Sequence, residues 1–498
     1  MEAEPLAASP AKIKVPFPLT ALQSLSLVLF SLLLGILADG LFRATLPGIN
    51  VTLFQLVLVT GLYGLGRFGR LEPKPNPILL AAMALLALLF FWRASPFLQF
   101  LNLAVSSFLF LLVVGQLSYQ SLWRSHFGEL LINGLRLIFG PFFSFFTLVF
   151  GSPWKDLGQH VQGRNSRWLL SAFRGLVFAI PLFIMFAVLL ASADALFEQL
   201  LQRTFRFDFE SWLEHSLIIL FIAMVALAFL AQTFLDNPWQ HFELKTPKLL
   251  QFGRIETALV FGSLSLLFAS FILVQASYLF GGESRVLGSS LSYAQYGRRG
   301  FFELVTVTVL LHIVLLVGMW FCTQPKAKQL YKILATILVF LLYGVIISAF
   351  SRLNLYITTY GLTELRFYSS AMIIWIAVVM LYFLFQLFSS KAPKLLPSYI
   401  ILGVLGVTGL YLSNPDAAIA RTNLSRISVE SEFDAEYLGE LSLDIVKPIQ
   451  DYLEQNPESP VRYKLHEVLR DKTFKLPEAD WRSFNVGRWH GEKQLLRQ

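Results

Sequence analysis

Residues 367–389 read "FYSSAMIIWIAVVMLYFLFQLFS", a run without a single Asp, Glu, Lys or Arg. Since an α-helix rises about 1.5 Å per residue, a run of this length can cross the roughly 30 Å hydrocarbon core of a bilayer. Runs of similar length and composition recur along most of the chain. The pattern predicts an all-α fold, a polytopic bundle of transmembrane helices.

The composition excludes several classes of protein. Of the 498 residues, 55% are hydrophobic and 14% are charged, with a mean hydropathy of +0.61, whereas a soluble domain carries about 25% charged residues. The net charge of +8 fits Lys and Arg that hold loops on the cytoplasmic side, so we expect no nucleic-acid partner. The single cysteine, Cys322, allows no internal disulfide.

Eleven spans are predicted, each an apolar run bounded by polar or turn-forming residues. They lie near residues 20–41, 46–66, 78–92, 95–117, 168–192, 214–236, 256–281, 303–322, 328–351, 367–389 and 396–412. We divide the chain into a cytoplasmic N-terminal segment (1–19), a first group of four helices (20–117), a basic cytoplasmic connector (118–167), a seven-helix core (168–412) and a C-terminal tail (413–498).

The basic residues predict which ends of the spans are cytoplasmic. With the N-terminus inside, the predicted inner loops hold about twice as many Lys and Arg as the outer loops, in agreement with the positive-inside rule. Every basic residue in the predicted outer loops is an arginine, a residue that suits fixed pairing better than loose solvation. Eleven spans then place the C-terminus outside.

One segment of the connector is apolar enough to be a twelfth span. Residues 127–150 read "FGELLINGLRLIFGPFFSFFTLVF" and include Glu129, Arg136 and Pro141. If this segment crossed the membrane, all later loops would be inverted and the basic ones would face outward. We therefore favour an interfacial or re-entrant helix on the cytoplasmic face.

The tail differs from the rest of the chain in composition. Asp434 is a plausible N-cap, and apolar residues between 438 and 453 recur at helical spacing, with a break expected at Pro448. Two further helical patterns follow, around 460–472 and 478–497. We predict a small extracytoplasmic helical tail with Trp481, Phe484 and Trp489 as its packing face.

Three polar motifs fall on the predicted outer side. The first, "SYAQYGRRGFFEL" (292–304), opens the eighth span, "RLNLYITTYGLTELRFY" (352–368) links the ninth and tenth, and "NPDAAIARTNL" (414–424) leaves the eleventh. Because they share one membrane face, a bundle can bring their side chains around one outer mouth. The candidate ligand-binding residues are Arg298, Arg299, Glu303, Arg352, Tyr360, Thr363, Arg366, Asn414 and Arg421, with Glu364 and Asp416 beside them.

Two interpretations of this cluster stay open. Ionisable groups at membrane depth are costly and are usually paired, so the cluster can be an ion-pair network that ties the loops and the tail to the bundle. It can also be an arginine-lined site for an anionic group such as a lipid phosphate, which arginine binds in a bidentate manner. The motifs hold more Arg than acid, and that surplus is the main argument for a ligand.

The same motifs carry a family resemblance. Together with "LLASADALF" at the end of the fifth span, "DAEYLGELSLD" (434–444) and "DWRSFNVGR" (480–488), they resemble the bacterial polytopic membrane proteins grouped under the domains of unknown function 4153 and 4173. The resemblance covers residues 165 to 498. It implies a multi-span protein of the bacterial cytoplasmic membrane without an assigned activity, and it supplies no catalytic residues.

The remaining observations leave three functional hypotheses. The chain has no zinc-protease, nucleophile-elbow, phosphate-loop or Cys/His metal pattern, so we expect no cofactor, metal or catalytic residue, and enzymatic activity is left open. The first hypothesis is a sensing, scaffolding or envelope-maintenance protein that contacts membrane lipids and binds an anionic lipid or an extracytoplasmic protein. The second is a transporter or lipid flippase, and the third an intramembrane lipid-linked transferase with Glu303 as base.

Two spans contain ionisable residues of their own. His312 lies near the middle of the eighth span, where we expect a bond to a neighbouring helix rather than a proton relay. Asp39 and Asp194 lie in similar sequences, "LADGLF" and "SADALF", at the ends of the first and fifth spans. We expect each of these aspartates to lie at the water interface.

Overall fold

A computed structural model gives the architecture of the protein. It describes residues 19–68, 76–118, 127–150, 175, 183, 186, 209–234, 251–279, 301–389, 395–427, 434–478 and 480–496. Within these ranges the regular elements are helices and none is a strand. The predicted all-α, polytopic bundle is therefore confirmed.

The described helices fall into an apolar part and a tail. Those of the apolar part are α1 (Ala21–Phe42), α2 (Ile49–Phe68), α3 (Pro77–Phe90), α4 (Pro96–Ser118), α5 (Phe127–Phe150), α6 (Phe209–Phe234), α7 (Arg254–Leu279), α8 (Phe301–Phe321), α9 (Pro325–Tyr360), α10 (Glu364–Phe388) and α11 (Leu395–Ser413). Those of the tail are α12 (Pro415–Leu424), α13 (Ala435–Glu440), α14 (Val446–Gln455), α15 (Arg462–Phe474) and α16 (Val486–Leu495). Short 3₁₀ turns at Leu443–Ile445 and Trp481–Ser483 precede α14 and α16.

Most of the predicted spans correspond to one helix each. In the described part of the chain, nine helices are long and apolar enough to cross a membrane, namely α1, α2, α4 and α6–α11. The third predicted span is the shorter α3, with 14 residues. The fifth, 168–192, lies outside the described residues.

The helix ends follow from local chemistry. Thr20 and Gln23 form a capping box at the start of α1, which satisfies two free backbone N–H groups. Asn76 caps α3, and Pro77 occupies its first turn, where a missing N–H costs nothing. Gly361 ends α9 with a positive φ of 81°, a conformation that glycine adopts without steric cost.

Helix α9 is longer than predicted. The ninth span was predicted to end at residue 351, with a linker before the tenth, but the helix continues to Tyr360 and has 36 residues. At about 1.5 Å per residue it is roughly 54 Å long, well beyond the hydrocarbon core. The motif at 352–368 is therefore mostly helix, interrupted only between Gly361 and Thr363.

The tail lies at one end of the bundle, which we call the tail side. Its residues bond to the turns after α1, α3 and α9, as in the bonds from Ile49 N to Phe484 O and from Leu362 N to Asn423 Oδ1. At the other end, the bond from Phe252 N to Phe321 O joins the start of α7 to the end of α8. The start of α1 and the tail thus lie at opposite ends.

Helices α4 and α6 both start on the tail side of the bundle. Helix α4 starts on the tail side and ends away from it, while α6 starts on the tail side, where Glu214 Oε2 lies 2.7 Å from Arg43 Nη2. The C-terminal half of α5 lies beside the last turn of α6, where Ser144 Oγ donates to Gln232 Oε1 at 2.6 Å. This position is compatible with the interfacial helix, which stays a prediction.

The tail has an apolar core of its own, formed by α12–α16 and including Leu438, Ile449 and Leu465. Pro448 lies in the first turn of α14 and not in the middle of a longer helix. The predicted packing face is wrong: Trp481, Phe484 and Trp489 are 67%, 39% and 44% exposed. The core is instead built from aliphatic residues that recur along α14 and α15.

Helices α1 and α6 approach each other closely at a glycine. A Cβ on Gly35 would lie 2.3 Å from the carbonyl oxygen of Ile219, so only a glycine lets these two backbones meet. Close approach through small residues is a common mode of helix packing in membranes.

We expect Gly35→Ala to lower the midpoint temperature of unfolding in detergent. The added methyl group forces α1 and α6 apart, and such overpacking costs about 1–3 kcal/mol. Gly40→Ala is the matched control, because nothing lies within 4 Å of its Cβ position in the same helix. Equal midpoints for Gly35→Ala and wild type would contradict the close approach.

Candidate functional site

In the described part of the chain, the tail is joined to the bundle mainly by hydrogen bonds that backbone carbonyl groups accept near helix ends. The last four C=O groups of any helix have no partner within that helix. On the tail side, such groups at the ends of α1, α9 and α11 and in the turn after α3 have partners elsewhere in the chain. We call the contacts that satisfy them the tail junction.

The first contact is at the turn between α1 and α2. Arg482 Nη1 donates to Gly40 O at 2.7 Å, and Ile49 N donates to Phe484 O at 2.8 Å. A Cβ on Gly48 would lie 2.5 Å from Phe484 O, so glycine is required for the two backbones to meet here. The stretch "DWRSFNVGR" is thus inserted against the end of α1.

The second contact is at the turn between α3 and α4. Val486 N donates to Phe91 O at 2.8 Å, and Gly487 N donates to Trp92 O at 3.0 Å. Asn485 Nδ2 donates to Arg93 O at 2.9 Å. These bonds pair the backbone of the tail directly with the backbone of the turn.

The third contact is at the end of α9. Arg426 donates to Ile357 O and Thr358 O. The amide of Asn423 pairs with both backbone groups of Leu362, since its Oδ1 accepts from Leu362 N at 2.7 Å and its Nδ2 donates to Leu362 O at 2.8 Å. The turn after α9 is therefore held by α12 and the residues after it.

Arg366 completes the same turn from α10. Its Nη1 donates to Tyr360 O at 3.0 Å and to Gly361 O at 2.5 Å. Its guanidinium carbon lies 4.0 Å from the ring centroid of Tyr356, which adds a cation–π contact. The Arg366 guanidinium thus has hydrogen-bond acceptors that are not carboxylates.

The fourth contact is at the end of α11. Arg93 Nε donates to Tyr411 O at 3.3 Å, and its Nη1 lies 3.2 Å from Asp444 Oδ1. Asp444 is nearly fully buried against the tail, where a Cβ on Gly487 would lie 2.9 Å from its Oδ1. This buried ion pair joins the α3–α4 turn, α11 and the tail.

A second carboxylate lies close to this pair. Asp416 is fully buried, and its Oδ2 accepts from Ser442 N at 3.0 Å, while no described group donates to its Oδ1. Burial raises the pKa of Asp444, and Asp416 raises it further, whereas Arg93 opposes both effects. The junction therefore contains buried negative charge that depends on Arg93.

Three of these four helix ends accept hydrogen bonds from an arginine. Arg482 donates to the end of α1, Arg93 to the end of α11, and Arg366 and Arg426 to the end of α9. Cations at a helix C-terminus also interact favourably with the helix dipole, by about 0.3–1 kcal/mol each. The surplus of arginine over acid near this face is partly accounted for by carbonyl groups.

The predicted site residues lie in different settings. Arg298 and Arg299 are outside the described residues. Tyr360 and Arg366 meet at the end of α9. Thr363 and Asn414 precede α10 and α12, Arg352 is partly buried in α9, Glu303 is exposed in the first turn of α8, and Arg421 is exposed on α12. The ligand site that they would form stays a prediction.

Glu364, which the sequence places beside those residues, is in contact with the tail. Glu364 N donates to Tyr437 Oη at 2.6 Å, so α10 is bonded to α13 of the tail. Burial raises the pKa of Tyr437 to about 12, which keeps this hydroxyl neutral at physiological pH. Tyr437 can therefore also donate its own proton.

Sequence analysis missed a charged group that joins α1 to α6. Asp39 is buried, and its Oδ2 contacts Nδ1 of His215. Its expected position at the water interface stays a prediction. The neighbouring pair of Arg43 and Glu214 joins the same two helices. The sequence does offer one indication of this contact: Glu214 and His215 lie at the start of the sixth predicted span, on the same predicted side of the membrane as Asp39.

His312 also departs from expectation. Neither of its ring nitrogens has a hydrogen-bond partner, so the expected bond to a neighbouring helix is absent in the described part of the chain. Its ring centroid lies 5.4 Å from that of Phe383 and 5.5 Å from that of Tyr399. The Tyr399 hydroxyl, on α11, likewise has no partner among the described residues.

The described residues contain no group of three or more His, Cys, Asp or Glu that could hold a metal ion. The expected absence of metal and cofactor stays a prediction. So does the proposed role of Glu303 as a base, since its neighbours Arg298 and Arg299 are not described.

Comparison with known proteins identifies one family. A family model with the description "Domain of unknown function (DUF4153)" matches residues 80–452, more than half of the chain. The match includes the polar motifs at 292–304, 352–368 and 414–424 and begins well before residue 165. The likeness to the domain of unknown function 4173 stays a prediction. No curated protein and no solved structure matches the chain.

We expect Arg93→Ala to destabilise the protein in a pH-dependent manner. Breaking a buried ion pair costs about 3–5 kcal/mol, and without Arg93 the pKa of Asp444 rises further above its usual value. At a pH well below the folded-state pKa the carboxyl is neutral in both proteins, so the loss is smaller. It grows as the pH rises through the folded-state pKa of Asp444.

Thermal unfolding in detergent between pH 4 and 8 measures this loss. The control is Arg93→Ala combined with Asp444→Asn, which removes the unpaired charge and should recover part of the midpoint at pH 7. A pH-independent loss without recovery would mean that the ion pair does not stabilise the junction.

Proposed function

We propose that this chain, which belongs to the DUF4153 family, is a non-enzymatic multi-pass protein of the bacterial cytoplasmic membrane that holds its tail as a fixed platform for an extracytoplasmic protein partner. The N-terminus lies inside and the tail outside, as the distribution of basic residues favours. This is a scaffolding role, one of the alternatives that the sequence left open.

The tail junction is the observation that carries the proposal. A tail that served only as a tether would need a single attachment, yet this one bonds to the ends of α1 and α9 and to the turn after α3, and its Asp444 pairs with Arg93, which bonds to the end of α11. Backbone-to-backbone bonds and a buried ion pair fix its orientation as well as its distance. Fixed orientation is useful when a surface must be presented to another molecule.

The surface best placed for presentation is α15. Leu465, Val468 and Leu469 face the tail core, while Tyr463 and Phe474 are 75% and 81% exposed. Large aromatic side chains are enriched in the buried centres of protein interfaces. An exposed pair on a helix of this small, rigidly held unit supports a protein partner.

An anionic lipid is the competing occupant of this side. Arg298, Arg299 and Arg421 would be its ligands, as the sequence predicts. The case for it is the surplus of arginine over acid in the three motifs, and one of these arginines, Arg366, donates to carbonyl groups instead. That observation favours a structural network and a protein partner.

A second candidate function is transport, and His312 is the observation that favours it. A buried polar group without a hydrogen-bond partner costs about 1–3 kcal/mol, and both nitrogens of His312 lack one among the described residues. Tyr399 faces it, and Tyr382, Ser398 and Gln386 continue the polar group along α10 and α11. A second conformation that supplies partners to His312 would explain the arrangement.

The platform predicts a protein crosslink at α15 in cells. A photoreactive phenylalanine analogue in place of Tyr463 or Phe474 should give a discrete protein adduct after illumination. The same analogue in place of Tyr63, an exposed aromatic residue of α2, is the control and should give lipid adducts only. Mass spectrometry of the adducts distinguishes the two.

Docking of the tail must matter for that adduct. In the Arg93→Ala background its yield at position 463 should fall severalfold, because the platform is no longer fixed. Adducts with lipid alone at 463 and 474 would replace the protein partner by a lipid. An unchanged yield in the variant would show that fixation is not needed.

The transport candidate predicts proton flux. Proteoliposomes that contain wild-type protein and a pH-sensitive dye should then show protein-dependent proton movement, lost in His312→Phe and retained in Val314→Ala, an exposed position of the same helix. Wild-type vesicles as tight as protein-free vesicles would rule out proton transport under these conditions.

A further inference from the structure

The tail has three exposed aromatic residues in the segment that bonds to the bundle, Trp481, Phe484 and Trp489, which we call the aromatic edge. We propose that this aromatic edge is inserted into the lipid headgroup region of the tail-side leaflet, so that the tail is a membrane-interface element as well as a platform. The occupant is the phospholipid interface itself, with no requirement for a particular lipid.

The depth of the edge follows from the helix ends. Helix α1 has 22 residues, or about 33 Å, which matches the hydrocarbon core. Its end therefore lies near the boundary between acyl chains and headgroups. Trp481 directly precedes Arg482, whose guanidinium bonds to Gly40 O, and Phe484 O bonds to Ile49 N, so both aromatic residues are held at that level.

Trp489 is held at the same level by the other turn. It lies two residues after Gly487, whose N–H donates to Trp92 O, a distance of about 3 Å along the helix axis. The headgroup region adds roughly 5–7 Å on each side of the core. All three aromatic side chains therefore start within that layer.

The chemistry of the edge suits the interface. Trp is enriched at the membrane–water boundary, where its ring is apolar and its N–H stays solvated. Lys493 Nζ lies 5.0 Å from the ring centroid of Trp489, and long basic side chains at this depth reach toward phosphates. On the bundle, Leu46 and Trp92 are exposed at the same turns, so the edge continues the lipid-facing surface.

Tyr463 is an exposed aromatic residue of the tail that lies outside the aromatic edge, and it can be compared with the residues of the edge. Tyr463 is more exposed than any residue of the edge but belongs to α15, which packs on α13, α14 and α16. If exposure alone decided lipid contact, Tyr463 would contact lipid too. If position decides, as we propose, Tyr463 contacts water in the purified protein, where the partner of the platform is absent.

Lipid-dependent quenching of a fluorescent label tests the inference. The native Cys322 is buried, so it is replaced by alanine and single cysteines are introduced as Trp481→Cys, Trp489→Cys and the matched Tyr463→Cys. Each is labelled with bimane and reconstituted in vesicles of phosphatidylethanolamine and phosphatidylglycerol. Quenching by a lipid with a nitroxide near the headgroup is compared with quenching by aqueous iodide.

We expect the labels at 481 and 489 to be quenched severalfold more by the shallow nitroxide lipid than the label at 463, with the order reversed for iodide. A nitroxide deep in the acyl chain should quench them less than the shallow one. If Trp481→Cys does not fold, Phe484→Cys carries the same test. Labels at 481 and 489 that respond like the label at 463 would overturn the inference.

Discussion

The structure depends on one constraint: the last carbonyl groups of a membrane helix need hydrogen-bond donors where the helix leaves the bilayer. In water, solvent meets this need, whereas a helix that ends beneath other protein must find donors in the chain. On the tail side, α1, α3, α9 and α11 receive them from three arginines, backbone N–H groups of the tail, and Arg366 of a neighbouring helix. The position of the tail, the role of its glycines and the abundance of arginine follow from that need.

The bundle itself was largely predictable because the bilayer sets a length and a polarity. Apolar runs gave ten of the eleven predicted spans a described helix, and the alternation of their directions agrees with the predicted order of crossings. The ends of the helices were harder to predict from the sequence. Residues 352–360 look like a polar linker, yet they continue α9, because Arg366, Arg426 and Asn423 satisfy its end outside the core. Such partners are distant in sequence and leave no local pattern.

The site was less predictable than the fold. Arg366 was identified, but its partners are carbonyl groups, which every residue carries and which no count of charges reveals. Asp39 was noticed as the end of a span, but its contact with His215 depends on which helices are neighbours. The aromatic residues of the tail were assigned to a core because they recur in an amphipathic pattern. The same pattern also arises at a membrane surface, and only the docking of the tail distinguishes the two cases.

The bonds between the tail and the first helices also set an order of events during biosynthesis. Arg482 donates to the carbonyl of Gly40, which was translated 442 positions earlier; at roughly 5–20 residues per second the interval is about 20 to 90 seconds. Throughout that time the end of α1 lacks this donor, and Arg93 likewise waits for Asp444. A nascent chain that is interrupted late would have inserted its helices and would still display an unfinished surface to the quality-control proteases of the membrane.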